Sequence, residues 1–171
     1  MRIFKSNKLL FVLTTLALIL AFGVTTSSAK KKVTVELKGI GVFTEVKGMK
    51  TDDIKKHAII FYEAKGAGTG SIGKFTFWSK GLLDSFRGYG PQVGFSKITD
   101  KDGHFYYTTF SGEATVTKSP KGERIVEWEG NWRITRGTGK WKHAKGKGKY
   151  KARYQGESSY TYFSQGVYIF E

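Results

Sequence analysis

From residue 30 onward the chain alternates apolar and polar positions in short runs broken by glycine, the period-two pattern of β-strands. Val33, Val35 and Leu37 alternate with polar residues. Beyond Gly39 the phase moves by one, to Ile40, Val42 and Val46, which predicts a β-bulge at Gly39. The polar stretch Thr51 to Lys56 predicts a turn or a single helical turn. His57 to Ala64, with Ile59, Ile60, Phe61 and Tyr62, is a buried-strand type of run. Gly66, Gly68, Gly70 and Gly73 predict a flexible link into a strand over Lys74 to Trp78. Gly81 to Pro91, which holds Leu82, Leu83, Phe86 and Tyr89, predicts an irregular loop folded over one end of the molecule.

Val93 to Thr99 and His104 to Thr117 predict a hairpin across Asp100-Lys101-Asp102-Gly103, where Gly103 suits a positive φ. Ser119-Pro120-Lys121-Gly122 is the next turn. Glu123 to Arg136 has the clearest alternation. Val126, Trp128, Trp132 and Ile134 share one face with Gly130, and Glu127, Glu129, Asn131 and Arg133 share the other. Gly137-Thr138-Gly139 turns the chain, Lys145 to Tyr154 alternates again, and Ser158 to Phe170 closes it. About eight strands joined mostly by short turns predict an all-β fold, an eight-stranded antiparallel up-and-down β-barrel. Such a barrel is just wide enough to pack its interior or to hold one small ligand.

The amino-terminal segment changes the picture of where the chain works. Arg2, Lys5 and Lys8 precede an apolar run from Leu9 to Phe22, broken only by Thr14 and Thr15, and Ser27-Ser28-Ala29 follows. This is the order of a signal peptide, and the run is short for a membrane span. The expected organisation is therefore a leader over 1–29, cleaved after Ala29, and a single domain over 30–171. The expected location is exported, periplasmic or extracellular. With no Cys in the chain there are no disulfides, no thiol catalysis and no Cys-based metal site. Removing the three basic residues of the leader lowers the formal charge from +15 to +12, which still predicts attraction to polyanions.

That charge is patterned. Lys145, Lys147, Lys149, Lys151 and Arg153 share one parity of a strand, and Gly146, Gly148, Tyr150, Ala152 and Tyr154 share the other. Five cations about 6.7 Å apart then point the same way, and they face outward because burial without partners is costly. This stripe is the candidate site for an anionic envelope polymer or lipid surface. On the opposite parity, Trp128, Trp132, Tyr150 and Tyr154 are candidates to line a cavity for a small hydrophobic ligand. Glu113, between Gly112 and Ala114, is a weak candidate for a cavity acid or base if it points inward; outward, it is an ordinary surface carboxylate. Asp84 and Arg87 form a candidate loop ion pair.

No metal site is expected, since His57, His104 and His143 are scattered without ligand spacing. No cofactor is expected either. Gly137-Thr138-Gly139-Lys140 lacks the remaining residues of a phosphate loop, and Gly66, Gly68 and Gly70 have the wrong spacing for a dinucleotide fingerprint. No Gly-x-Ser-x-Gly elbow and no DNA- or RNA-binding motif is present, so specific nucleic-acid recognition is not expected.

The run Gly130-Asn131-Trp132-Arg133-Ile134-Thr135-Arg136-Gly137-Thr138-Gly139-Lys140-Trp141, leading into Lys145-Gly146-Lys147-Gly148-Lys149-Tyr150, resembles the allene-oxide-cyclase-like barrel superfamily. That group includes the dirigent proteins and many bacterial secreted proteins. The shared features are a strand ending in Gly-Thr-Gly, an aromatic, and a Gly-x-Gly strand. The stretch Gly94 to Glu113 is similar to the bacterial members. Lys142 and His143 stand where the family usually has small residues. The resemblance implies an eight-stranded antiparallel barrel with a central cavity, and oligomers are common among such barrels. Enzymes of the group cyclise or isomerise small hydrophobic molecules, which gives a second expectation beside ligand binding: an isomerase or cyclase. No catalytic residue carries over, because no catalytic motif matches.

Overall fold

A computed structural model describes residues 30–51 and 54–170; the expected leader at 1–29 lies outside them. Eight strands follow one another: β1 (Lys31–Lys50), β2 (His57–Gly70), β3 (Phe75–Phe86), β4 (Gly90–Asp100), β5 (Phe105–Lys118), β6 (Arg124–Gly137), β7 (Lys145–Gly156) and β8 (Ser159–Phe170). Each pairs antiparallel with the next, and β1 closes on β8 to make an eight-stranded up-and-down barrel. Closure leaves no free sheet edge, so the chain needs no helix or second sheet to cover one.

Several local expectations are corrected. Gly39 is not a bulge: β1 keeps its phase there, and the register shift lies between Phe43 and Glu45. Gly39 and Gly41 face inward, and Ile40 and Val42 stay outside at 60% and 45% exposure. The reason is steric, since a Cβ on Gly41 would lie 2.3 Å from the Tyr160 ring, which already fills that inward position. Gly66 to Gly70 is not a flexible link but part of β2, with Gly66 and Gly68 under the rings of Phe77 and Phe75. The run Ile59 to Tyr62 is not buried throughout. Ile60 and Tyr62 line the interior, while Phe61 is exposed.

Gly81 to Pro91 is not a loop over the end. β3 continues to Phe86, and Arg87 and Gly88, both at positive φ (58° and 95°), make a two-residue hairpin turn into β4. Two consecutive positive φ angles match the right-handed twist of the strands on either side. Asp84 bonds His57 (Nε2 to Oδ1, 2.6 Å) rather than Arg87, whose guanidinium lies over the Phe86 ring.

The two ends of the barrel differ. At the end reached by the β4–β5 and β6–β7 connections, a single 3-10 turn (Gly139–Trp141) lays Trp141 across the opening. Trp141, Tyr106, Tyr168, Val35 and Ala144 are buried together there. The Trp141 ring centroid stands 4.8 Å from that of Tyr106 and 5.6 Å from that of Tyr168. The Tyr106 and Tyr168 hydroxyls bond each other, so the plug leaves neither phenol unpaired. At the other end, bounded by the β1–β2, β3–β4, β5–β6 and β7–β8 turns, no such plug is found among the described residues.

Candidate functional site

Above the plug the barrel encloses a cavity of about 620 Å³, within the range of small-molecule sites. The pairing of aromatic residues with glycines explains why these rings leave room. The Tyr62 ring occupies the place of a side chain on Gly81, and the Tyr150 hydroxyl that of one on Gly112. Trp132 lies against both Gly148 and Gly166, where an added Cβ would stand 2.5 Å from its ring. Rings held against the wall line the lumen instead of filling it. They also brace one another: Phe43 meets Tyr160 at 5.0 Å and Trp128 at 5.9 Å between centroids, and Phe77 meets Tyr162 at 5.0 Å.

The wall is apolar except for a polar belt. The Tyr62 hydroxyl donates to Gln92 Oε1 at 3.0 Å, and Gln92 Nε2 donates to the Tyr150 hydroxyl at 2.8 Å. The Ser79 and Ser96 hydroxyls bond each other at 2.7 Å, and the lining also includes Thr108 and Ser164. Among the described residues no Asp, Glu, His or Lys lines the cavity, and the charged residue that does, Arg124, begins β6 at the mouth. Burial raises the Tyr62, Tyr160 and Tyr162 phenols well above their ordinary range. Burial pushes Tyr150 up to about 12 against the opposing effect of the Gln92 hydrogen bond. These phenols are neutral hydrogen-bond donors, not bases.

The structure places Trp128, Trp132, Tyr150 and Tyr154 along the cavity, with Tyr154 at the mouth and 40% exposed. Glu113 is exposed, with Pro91 and Glu129 as its cross-strand neighbours. It is removed as a cavity acid or base because Gly112 and Ala114 take the inward parity of β5. Lys145, Lys147, Lys149, Lys151 and Arg153 are all exposed on the outer face of β7. Along the stripe Lys151 pairs with Glu129 at 3.1 Å and Arg153 with Glu127 at 2.6 Å. Lys147 sits instead beside Arg133 and Val167, and Lys149 beside Asn131 and Gln165. The uncompensated positive charge is therefore concentrated on Arg133, Lys147 and Lys149.

Sequence reasoning missed Tyr62, Gln92 and Arg124. A lone Gln or Arg at the edge of a strand carries no signal of its own, and only closure of the barrel brings β2, β4 and β7 onto one belt. Among the described residues no group of three or more His, Cys, Asp or Glu is arranged to hold a metal ion. No protein-family model, curated protein or solved structure matches the chain.

Proposed function

We propose that the protein is an exported, non-enzymatic binder that carries a small hydrophobic ligand inside its barrel. The observation that carries this reading is a cavity of about 620 Å³ with an aromatic and aliphatic wall and, among the described residues, no carboxylate, imidazole or amine lining it. Such a wall favours apolar guests. It lacks the general base that an isomerase or cyclase would draw on, which sets that alternative second. The resemblance of residues 130–150 to the allene-oxide-cyclase-like barrels agrees with a small hydrophobic guest.

The test is native mass spectrometry of the protein from its own host, followed by titration of the stripped protein with apolar fluorophores while Trp128 and Trp132 emission is followed. A retained apolar molecule, or saturable quenching, is expected. A bare protein whose tryptophans ignore every probe would overturn the reading.

A second reading rests on a separate surface. The outer cluster of Arg133, Lys147 and Lys149 has no acid directly opposite and suits an anionic envelope polymer or lipid surface. The two surfaces do not compete, because one is inside the barrel and the other outside.

A further inference from the structure

The polar belt says more about the guest than the apolar wall does. Gln92 is 3% exposed and holds two phenols, Tyr62 from β2 and Tyr150 from β7. Its amide has one oxygen and one nitrogen. Whichever way the amide is turned, the oxygen accepts from one phenol and the nitrogen donates to the other. The phenol that accepts keeps its own proton. Among the described residues no acceptor takes that proton, and the amide nitrogen keeps a second N–H. All three side chains line the cavity. Their oxygens keep spare lone pairs, but a buried oxygen tolerates an unmatched lone pair better than a buried N–H or O–H tolerates having no acceptor, so the two uncommitted hydrogens set what this belt demands.

No lining group at this depth bears a charge. Arg124 is exposed and stands at the mouth. An ionised group carried down to the belt would lose its water without gaining a counter-ion. A pure hydrocarbon at the belt would leave the two uncommitted hydrogens facing nothing, which costs affinity. A neutral acceptor oxygen meets both conditions. Tyr150 lies against Gly112 and Tyr62 against Gly81, so the belt is positioned by backbone close packing rather than by flexible side chains.

We infer that the guest is a neutral apolar molecule bearing an acceptor oxygen, a carbonyl foremost, which takes the uncommitted hydrogen of the Tyr62–Gln92–Tyr150 chain. Its apolar body lies deeper, against Phe77, Phe110 and Trp132. This rests on the cavity being a binding site and specifies what that site reads.

The experiment compares 2-acetylnaphthalene with 2-isopropenylnaphthalene, a hydrocarbon of the same shape without the oxygen. Affinities are measured on the wild type and on the triple variant Tyr62→Phe, Gln92→Met, Tyr150→Phe, which removes the belt's polar atoms while nearly keeping its volume. The ketone-to-hydrocarbon affinity ratio is expected to be about threefold to tenfold higher in the wild type than in the variant. The carbonyl stretch of the bound ketone is expected at lower frequency in the wild type than in a dry hydrocarbon solvent. Equal ratios with both probes bound overturn this inference and leave the cavity reading standing. Failure of both probes to bind the wild type overturns both. Should the variant not fold, the wild-type carbonyl stretch decides: a lowered frequency supports the inference, and the hydrocarbon-solvent frequency overturns it.

Discussion

Asp100 ends β4 with no exposed side-chain surface, yet it accepts four hydrogen bonds. Oδ1 takes the backbone N–H groups of Asp102 and His104, and Oδ2 takes Trp141 Nε1 and Lys140 Nζ, both at 2.8 Å. Burial alone would push its carboxyl upward, but the bonds from Lys140, Trp141 and Asp102 outweigh burial and hold it down at about 2. The unfolded value is about 3.9, so between about pH 4 and about pH 2 the unfolded chain binds the extra proton. This contribution to stability is complete above about pH 4 and is lost as the pH falls toward about 2. Asp100→Asn should lower stability at neutral pH by about 1–3 kcal/mol and flatten the acid limb of a melting-temperature profile. Parallel acid limbs in the two proteins would sever Asp100 from that limb. The hairpin role of Asp100 was legible in Asp100-Lys101-Asp102-Gly103. Its grip on Trp141 was not, because the two lie 41 residues apart with no local pattern joining them.

At the level of the strand, alternation was legible wherever the inward positions carry the large side chains, as in β6 with Val126, Trp128, Trp132 and Ile134. It misled wherever the inward positions are glycine. In β1 the Tyr162 and Tyr160 rings take the interior over Gly39 and Gly41, so Ile40 and Val42 are left outside and the hydropathy pattern inverts. Strand β7 is the intermediate case: its outward cations were legible from parity, but their cross-strand partners were not. Those partners divide the stripe. Charge reversal at Lys147 and Lys149 should weaken binding of polyphosphate severalfold at low salt and reduce the salt dependence of what remains. Neutralising Lys151 and Arg153, already paired with Glu129 and Glu127, should change it little. Polyphosphate binding that is indifferent to both pairs would remove the outer face as a polyanion site.

For the whole molecule, eight closed strands were legible from turn chemistry and strand count, and the aromatic content pointed to a lined interior. The emptiness of that interior was not legible, since it depends on which ring lies against which glycine. The same rings govern the alkaline limit. Burial raises Tyr62, Tyr106, Tyr160 and Tyr162 far above their ordinary value and Tyr150 and Tyr168 to about 12. The unfolded value is about 10, so their contribution is complete below about pH 10 and is lost as the pH rises through the folded values. Tyrosinate absorbance and strand circular dichroism should therefore change together in one steep transition above about pH 10. Gradual ionisation of these tyrosines in an intact barrel would contradict it.

The Trp141 plug also sets a rule for traffic. With one end sealed, whatever enters must leave by the same door, and an occupied barrel has no back entrance through which a newcomer could push the resident out. On the proposed reading, exchange of one guest for another runs at the pace of the resident's own departure, however abundant the newcomer, and the clock for release is set by the guest already inside.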